Sequence, residues 1–259
     1  MKLGFIGMGN MASSIAAGVI KSGYMEAGDI CAYDPCPVKL DEMAAEYGIE
    51  KAKTAEDVAA RCDMLLLAVK PYVLEAAVKE LGAALSGKAV VSIALGWNFE
   101  TLSALLPEGT RVQAVMPNTP MLVGEGVCLM EETSSLNEAE RGFVSGLFSS
   151  LGIVKTLPSR LMGAGTALSG CGPAYVYLFL EALADAAVYH GIARSDAYDL
   201  AAQTVLGASK MVLETGEHPG KLKDNVCSPG GTTIRGVAAL ERRGFRAAVM
   251  EAVHDAANI

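Results

Sequence analysis

Residues 2–12 read KLGFIGMGNMA, and the fold turns on how they are parsed. KLGFI has the apolar weight of a short buried strand. Gly7-Met8-Gly9-Asn10-Met11-Ala12 has the G-x-G-x-x-[GA] spacing, and ASSIAAGVIKSG carries on with helical periodicity. Strand, tight turn and helix in that order are the phosphate-binding start of a dinucleotide fold. In that reading Gly7 makes the turn, Gly9 lets the backbone approach a pyrophosphate, and Ala12 lets the helix pack closely on the strand. Glycine-rich turns occur in many proteins, so the placement between a strand and a helix carries the weight. The expected cofactor contacts here are Gly7, Met8, Gly9, Asn10 and Met11.

The chain after this motif continues the alternation. A second strand over residues 29–33 ends at Asp34, whose carboxylate suits the adenosine ribose hydroxyls and would repel a 2′-phosphate, which favours NADH slightly over NADPH. The bland alternative is a turn-forming Asp34-Pro35 pair, and Lys39 is near enough in sequence to approach a phosphate. DMLLLAV, residues 63–69, reads as a strand buried on both faces of a parallel sheet. Lys70-Pro71 then forces the chain off the sheet. Ligands of open α/β sheets lie beyond the carboxyl ends of strands, so Ala68, Val69, Lys70 and Pro71 should line the cofactor. Further strands are expected over residues 89–95 and 111–115. The latter runs into Met116-Pro117-Asn118-Thr119-Pro120, where Asn118 is a candidate wall for the nicotinamide. Final strands over 126–130 and 153–157 flank a helix over 137–151.

From Ser159 onward only helical patterns remain, over residues 174–191, 195–215, 219–226, 232–243 and 245–257. Alternation followed by helices alone predicts two domains. Residues 1–158 form a Rossmann-like α/β dinucleotide-binding domain, and residues 159–259 an all-α helical domain.

Composition narrows the function. The chain has 259 residues, 51% of them apolar, 19% charged, with a net charge of −8. An acidic surface without a Lys/Arg cluster argues against nucleic acid. Six scattered cysteines with no C-x-x-C or Cys/His spacing give no support for a metal, and point to reduced thiols in a cytoplasmic protein. The strand-like N-terminus leaves no room for a signal peptide. Residues 161–180 carry no charge, but their Gly, Ser and Pro content and the acidic residues that follow favour a helix buried in protein, at a subunit contact, over a membrane span. No Ser-His-Asp or Cys-His constellation is legible. His190, His218 and His254 read as structural or solvent-facing. No lysine lies between Leu161 and Tyr189, which disfavours a lysine-dependent hydroxyacid oxidation.

Residues 226–236, VCSPGGTTIRG, pack turn residues, two hydroxyls and a helix start into one segment. Read alone, this is a loop in which Thr232 and Thr233 serve as helix caps, or a set of amides facing an anion. The run LKDNVCSPGGTTIRGVAALE, residues 222–241, resembles the signature of Δ1-pyrroline-5-carboxylate reductases. SGCGPAY (169–175), FIGMGNMA, VKP (69–71) and MPNTP (116–120) match that family in order. The resemblance implies NAD(P)H-dependent reduction of the ring C=N of pyrroline-5-carboxylate to L-proline. It also implies intertwined homodimers, in some members assembled into decamers, with a site that draws on two subunits.

Within that resemblance, the amides of Gly230, Gly231 and Thr232, with the Ser228 hydroxyl, would hold the substrate carboxylate. Thr233 would meet the imine nitrogen as the catalytic residue, and Asn225 would reach the nicotinamide or cap a turn. The competing readings are another imine or β-hydroxyacid reductase of the same architecture, and a non-catalytic dinucleotide-binding regulator.

Overall fold

The computed structural model describes residues 1–257 and divides into two compact units, residues 1–171 and 172–259. The first begins with β1 (Leu3–Ile6), α1 (Asn10–Lys21), β2 (Ile30–Tyr33), α2 (Pro37–Tyr47) and β3 (Glu50–Lys51). It continues with α3 (Ala55–Arg61), β4 (Met64–Leu67), α4 (Pro71–Leu81), β5 (Ala89–Ser92), α5 (Phe99–Leu105) and β6 (Arg111–Met116). Then come β7 (Gly126–Ser134), α6 (Glu138–Ser149), β8 (Gly152–Leu157) and α7 (Ser159–Ser169). One sheet joins the strands in the order β3-β2-β1-β4-β5-β6-β7-β8.

Strands β1 to β6 are parallel, and β1, β4 and β5 are buried along their whole length, as a sheet covered by helices on both faces requires. One core lies on each face of this sheet. Ile15, Leu66, Val115, Leu147 and Phe148 belong to one, and Val58, Leu65, Leu74, Val90 and Leu102 to the other. β7 runs antiparallel to β6 because only a short loop with a 3-10 turn over Thr119–Val123 joins them, too short for a crossover.

Sequence patterning passed over β3 and α3, which fall in what reads as a short link. α3 is nonetheless specified locally, since the Thr54 hydroxyl accepts the Asp57 amide at its N-cap. The expected boundary near residue 158 also differs from the division at Cys171. α7 packs on the last strands of the sheet, and a side chain at Gly165 would collide with Leu129 and Leu157.

The second unit contains α8 (Gly172–Tyr189), α9 (Arg194–Thr215), α10 (Pro219–Val226), α11 (Thr232–Arg242) and α12 (Phe245–Ala257). The charge-free stretch expected as one helix is therefore split between α7 and α8 by Gly170 and Cys171, whose amides both fold back to the Thr166 carbonyl. By length and composition residues 159–189 are apolar enough to cross a membrane, with mean hydropathy 1.3.

This unit has little core of its own. Among its described apolar residues only Ala184, Ala197 and Ala201 are buried, while Tyr177, Leu178, Leu213 and Met250 are exposed. α8, α11 and α12 enclose an apolar groove of about 680 Å³ lined by Tyr175, Phe179, Leu183, Phe245 and Val249. The Tyr175 hydroxyl donates to the Ala252 carbonyl at 3.3 Å, and Phe179 and Phe245 lie 5.8 Å apart between ring centres.

Candidate active site

The strand order reverses at β1, flanked by β2 and β4, and open α/β sheets bind ligands at the carboxyl ends of the strands beside such a point. The glycine-rich turn lies there. Gly7 has φ +95°, a region closed to most side chains, and a Cβ at Gly7 would meet the Ala68 carbonyl oxygen at 2.9 Å and Val69 at 3.2 Å. Gly7 thus serves the contact between the turns after β1 and β4.

Gly9 differs. Its φ of −75° suits any residue, and a Cβ would meet nothing within 4 Å. The open space in front of Gly9 is what close approach of a pyrophosphate needs. Gly9 is also the N-cap of α1 and offers no side-chain cap, so the first-turn amides, with the positive end of the helix dipole, face that space. Asn10 is exposed and Met11 half-buried at the same end. Ala12, 1% exposed, packs α1 onto the sheet.

Met8 and Asp34 are tied together. The Met8 side chain is buried, and its amide donates to Asp34 Oδ2 at 2.6 Å, while Asp34 Oδ1 accepts the Cys36 amide at 2.8 Å. The Asp-Pro turn and the carboxylate at the end of β2 are therefore one feature. Lys39 is exposed on α2. Lys70 is the exposed N-cap of α4, and Pro71 occupies the first helical turn, where its missing N–H costs nothing.

Asn118 does not sit as the sequence reading has it. It is 5% exposed, its Oδ1 accepts the Val127 amide at 2.8 Å, and its Nδ2 donates to the Ser169 carbonyl at 2.9 Å. Its side chain braces β7 and the end of α7 instead of standing as a free wall. The polar centre of MPNTP is spent on satisfying buried backbone.

In the second unit, Ser228, Pro229, Gly230 and Gly231 form a tight turn. Gly230 has φ +68°, and the Gly231 amide donates to the Ser228 carbonyl at 3.0 Å. That amide is thus occupied, and the exposed amides of the segment are those of Gly230, Thr232 and Thr233. Gly231, not either threonine, is the N-cap of α11, and a side chain there would run into the Ser228 hydroxyl. Thr232 and Thr233 occupy the first helical turn and are exposed, and the Thr233 hydroxyl has no hydrogen-bond partner among the described residues. The capping alternative for these two threonines is excluded by that geometry.

Arg235, missed in the sequence reading, donates back to the Gly231 and Gly230 carbonyls, each at 3.3 Å. Asn225 is exposed in the last turn of α10. That helix is capped by His218, whose Nδ1 accepts the Gly220 amide at 3.0 Å.

Three of the six thiols are core residues. Cys31, Cys62 and Cys128 are buried, and burial pushes the Cys62 thiol up to about 12 and raises the other two.

Comparison with known proteins assigns the chain. Residues 159–259 match the family model for pyrroline-5-carboxylate reductase dimerisation. Residues 2–96 match the model described as NADP oxidoreductase, coenzyme F420-dependent. The chain is 43% identical to the pyrroline-5-carboxylate reductase of Escherichia coli strain K12, over 97% of this chain and 94% of that one. This chain belongs to the pyrroline-5-carboxylate reductase family.

The Arabidopsis thaliana reductase is also 43% identical, over 99% of this chain and 93% of its own. A Plasmodium falciparum pyrroline carboxylate reductase, solved with NADP bound, superposes with a TM-score of 0.90 at 35% identity, covering 99% and 95% of the two chains. An imine reductase from Myxococcus stipitatus, at 21% identity and a TM-score of 0.58, shares the fold. The segment that resembles the family's signature, residues 222–241, lies inside the matched region and contains the Ser228–Gly231 turn and the start of α11.

Proposed function

We propose that this protein reduces L-Δ1-pyrroline-5-carboxylate to L-proline with a nicotinamide dinucleotide, the last step of proline synthesis. The observation that carries the reading is the turn at residues 228–231 opening α11, inside the region that matches the dimerisation family, which we read as an anion cradle. The amides of Gly230, Thr232 and Thr233, backed by the α11 dipole, hold the ring carboxylate. The Ser228 hydroxyl adds a donor. The Gly231 amide, engaged with Ser228, contributes by fixing the turn.

The reduced cofactor supplies a hydride to the imine carbon. Thr233 orients the ring at the imine nitrogen, donating to it when it is neutral and accepting from it when it is protonated. A protonated imine already carries the amine N–H hydrogen; a neutral one takes it from solvent. The hydride's electron pair becomes the new C–H bond while the C=N π pair becomes the nitrogen lone pair, and the balance is substrate, reduced cofactor and one proton giving proline and oxidised cofactor. Placing the imine carbon within about 3 to 3.5 Å of the donor carbon is the main catalytic task, which explains a site without a strong acid.

In the first unit, Gly7, Met8, Gly9, Asn10 and Met11 with Ala68, Val69, Lys70 and Pro71 form the cofactor cradle. The preferred cofactor is NADH. Asp34, held by two amides, cannot swing away from a 2′-phosphate, and Lys39 is the nearest compensating cation in sequence. The enzyme works in the cytoplasm as a homodimer. The exposed apolar surface of α8, α9 and α12 supports this, since so thin a core cannot stabilise a helical unit by itself. Light scattering at micromolar concentration should report a dimer or a multiple of one; a monomer would count against it.

The activity is tested by supplying pyrroline-5-carboxylate and reduced cofactor and measuring proline against cofactor oxidised. One proline per cofactor is expected. 1-Pyrroline, which lacks the carboxylate, should lose at least about tenfold in kcat/KM, the worth of a charge-assisted hydrogen bond. Equal rates with both substrates would remove the carboxylate from the role given to this turn.

A further inference from the structure

Strand β7 carries a carboxylate where packing alone would place an apolar side chain. Glu131 is 2% exposed, between Met130 and the exposed end of the strand, and no Lys, Arg or His pairs with it among the described residues. A buried carboxylate with no counter-ion is costly unless hydrogen bonds hold it. Here Oε2 accepts the Phe99 amide at 2.6 Å, at the first helical position of α5, and Oε1 accepts the Ser159 hydroxyl at the start of α7. The positive end of α5 adds to the balance.

The Phe99 bond fixes the end of the turn over residues 94–98, between β5 and α5, while the Ser159 bond fixes the carboxylate itself against α7. The same turn is tied on its other side, where the Trp97 indole N–H donates to the Pro71 carbonyl at 3.2 Å. Trp97 is half-buried and is the only tryptophan in the chain. Within the turn, the Ala94 amide donates to Ser92 Oγ at 3.3 Å, and Asn98 closes a capping box with Thr101. The segment that leaves the carboxyl end of β5 is thus clamped between the turn after β4 and the buried carboxylate on β7. A cavity of about 190 Å³ beside it is lined by Gly96, Trp97, Glu131, Ser159 and Met162.

We infer that Glu131 is a positioning residue for hydride transfer, acting through the 94–99 segment, with Trp97 as the second tether. This rests on the proposed function, with the nicotinamide taken to lie beyond the carboxyl ends of β4 and β5, next to the cofactor-lining residues Ala68 to Pro71. The dinucleotide's phosphates and adenosine are anchored at α1 and Asp34, remote in sequence from the clamp. Loosening the clamp therefore lets the ring move while the rest of the cofactor stays bound. The effect falls on turnover more than on affinity.

The test compares Glu131→Ala and Glu131→Gln with the unmodified protein, using kcat with pyrroline-5-carboxylate, the cofactor Kd by calorimetry, and Trp97 emission. Glu131→Ala should lower kcat at least about tenfold, as displacement of reacting atoms by a fraction of an ångström does, with Kd changed less than about threefold. Its Trp97 emission should shift to the red. Glu131→Gln should stay within about threefold of the unmodified protein, because its oxygen still accepts the Phe99 amide and its N–H2 can donate to Ser159 Oγ. A kcat for Glu131→Ala within twofold of the parent, or equal damage in the Gln and Ala variants, overturns the inference. If Glu131→Ala does not fold, Trp97→Phe cuts the other tether: a lower kcat at unchanged Kd supports the clamp, and an unchanged kcat overturns it. Absence of turnover in the unmodified protein would instead defeat the functional reading, so the two failures are distinct.

Discussion

The Asp34 carboxylate accepts the Met8 amide at 2.6 Å, and so the end of β2 is fastened to the glycine-rich turn after β1. The carboxylate holds the turn, and in the proposed function it also screens the adenosine end of the cofactor. A like charge 4 to 6 Å away in a partly exposed site is worth about 1 to 4 kcal/mol. Asp34→Asn keeps an acceptor for one of the two amides and removes the charge. The ratio of kcat/KM for NADH to that for NADPH should fall about tenfold. A ratio unchanged by the substitution would strip Asp34 of its role in cofactor choice.

Gly7 and Gly9 are two residues apart and should respond oppositely to alanine. At Gly7 the left-handed φ and the Ala68 carbonyl both oppose a side chain, and Gly7→Ala should cost at least about 1 to 2 kcal/mol of stability. At Gly9 nothing in the protein opposes it, so stability should stay within about 0.5 kcal/mol. The added methyl fills the space reserved for the pyrophosphate, and cofactor Kd should rise at least about tenfold. Thermal denaturation and calorimetry separate the two effects; tight cofactor binding by Gly9→Ala would contradict the cradle.

Thr233 should matter to the reaction and not to the fold. Its hydroxyl makes no hydrogen bond within the described chain, so Thr233→Ala should leave the melting temperature unmoved. It should lower kcat/KM at least about tenfold, about 1.4 kcal/mol of transition-state stabilisation. Thr233→Ser should recover most of that loss. A fully active alanine variant would make Thr233 an ordinary first-turn residue.

The first unit also carries a pH-dependent element away from the site. Glu140, 7% exposed, accepts two bonds from Arg111 Nε and one from Nη2 at 2.7 to 3.0 Å, and closes the capping box of α6 with Asn137. The hydrogen-bonded Arg111 guanidinium holds the Glu140 carboxyl below its ordinary value. Because the folded value is the lower one, this stabilisation is full above the unfolded carboxylate value of about 4.3 and disappears as pH falls through the folded value. Glu140→Gln should therefore destabilise the protein by about 1.5 kcal/mol at neutral pH, with the gap closing in acid. A gap independent of pH would assign the loss to packing.

The sequence reveals the parallel sheet because period and punctuation agree: each apolar run over β1, β4 and β5 ends in Gly or Pro chemistry that breaks it. β3 and α3 escape notice because two strand residues and seven helical ones are too short to show a period. The expected edge at residue 158 falls where the dimerisation-family match begins, while the compact unit runs on to Cys171 because α7 packs on the sheet through Gly165, and small-residue packing leaves little trace in hydropathy. Asn118 looks like a ligand residue because MPNTP sits at a strand end. Its two buried backbone partners, Val127 and Ser169, are distant in sequence, and no local pattern announces them. Glu131 does leave a signal, the first of the two acids that follow the apolar residues in CLMEE, but its meaning depends on Phe99 and Ser159 being brought to it by the fold.

Hydride delivery to the imine carbon is the central claim, and isotope transfer tests it most directly. NADH dideuterated at nicotinamide C4 is incubated with pyrroline-5-carboxylate and the protein, and the product is analysed by mass spectrometry and NMR. The predicted result is L-proline carrying one deuterium, at the δ carbon, in step with cofactor oxidation. Cofactor left unoxidised, or proline without deuterium at that carbon, would contradict it.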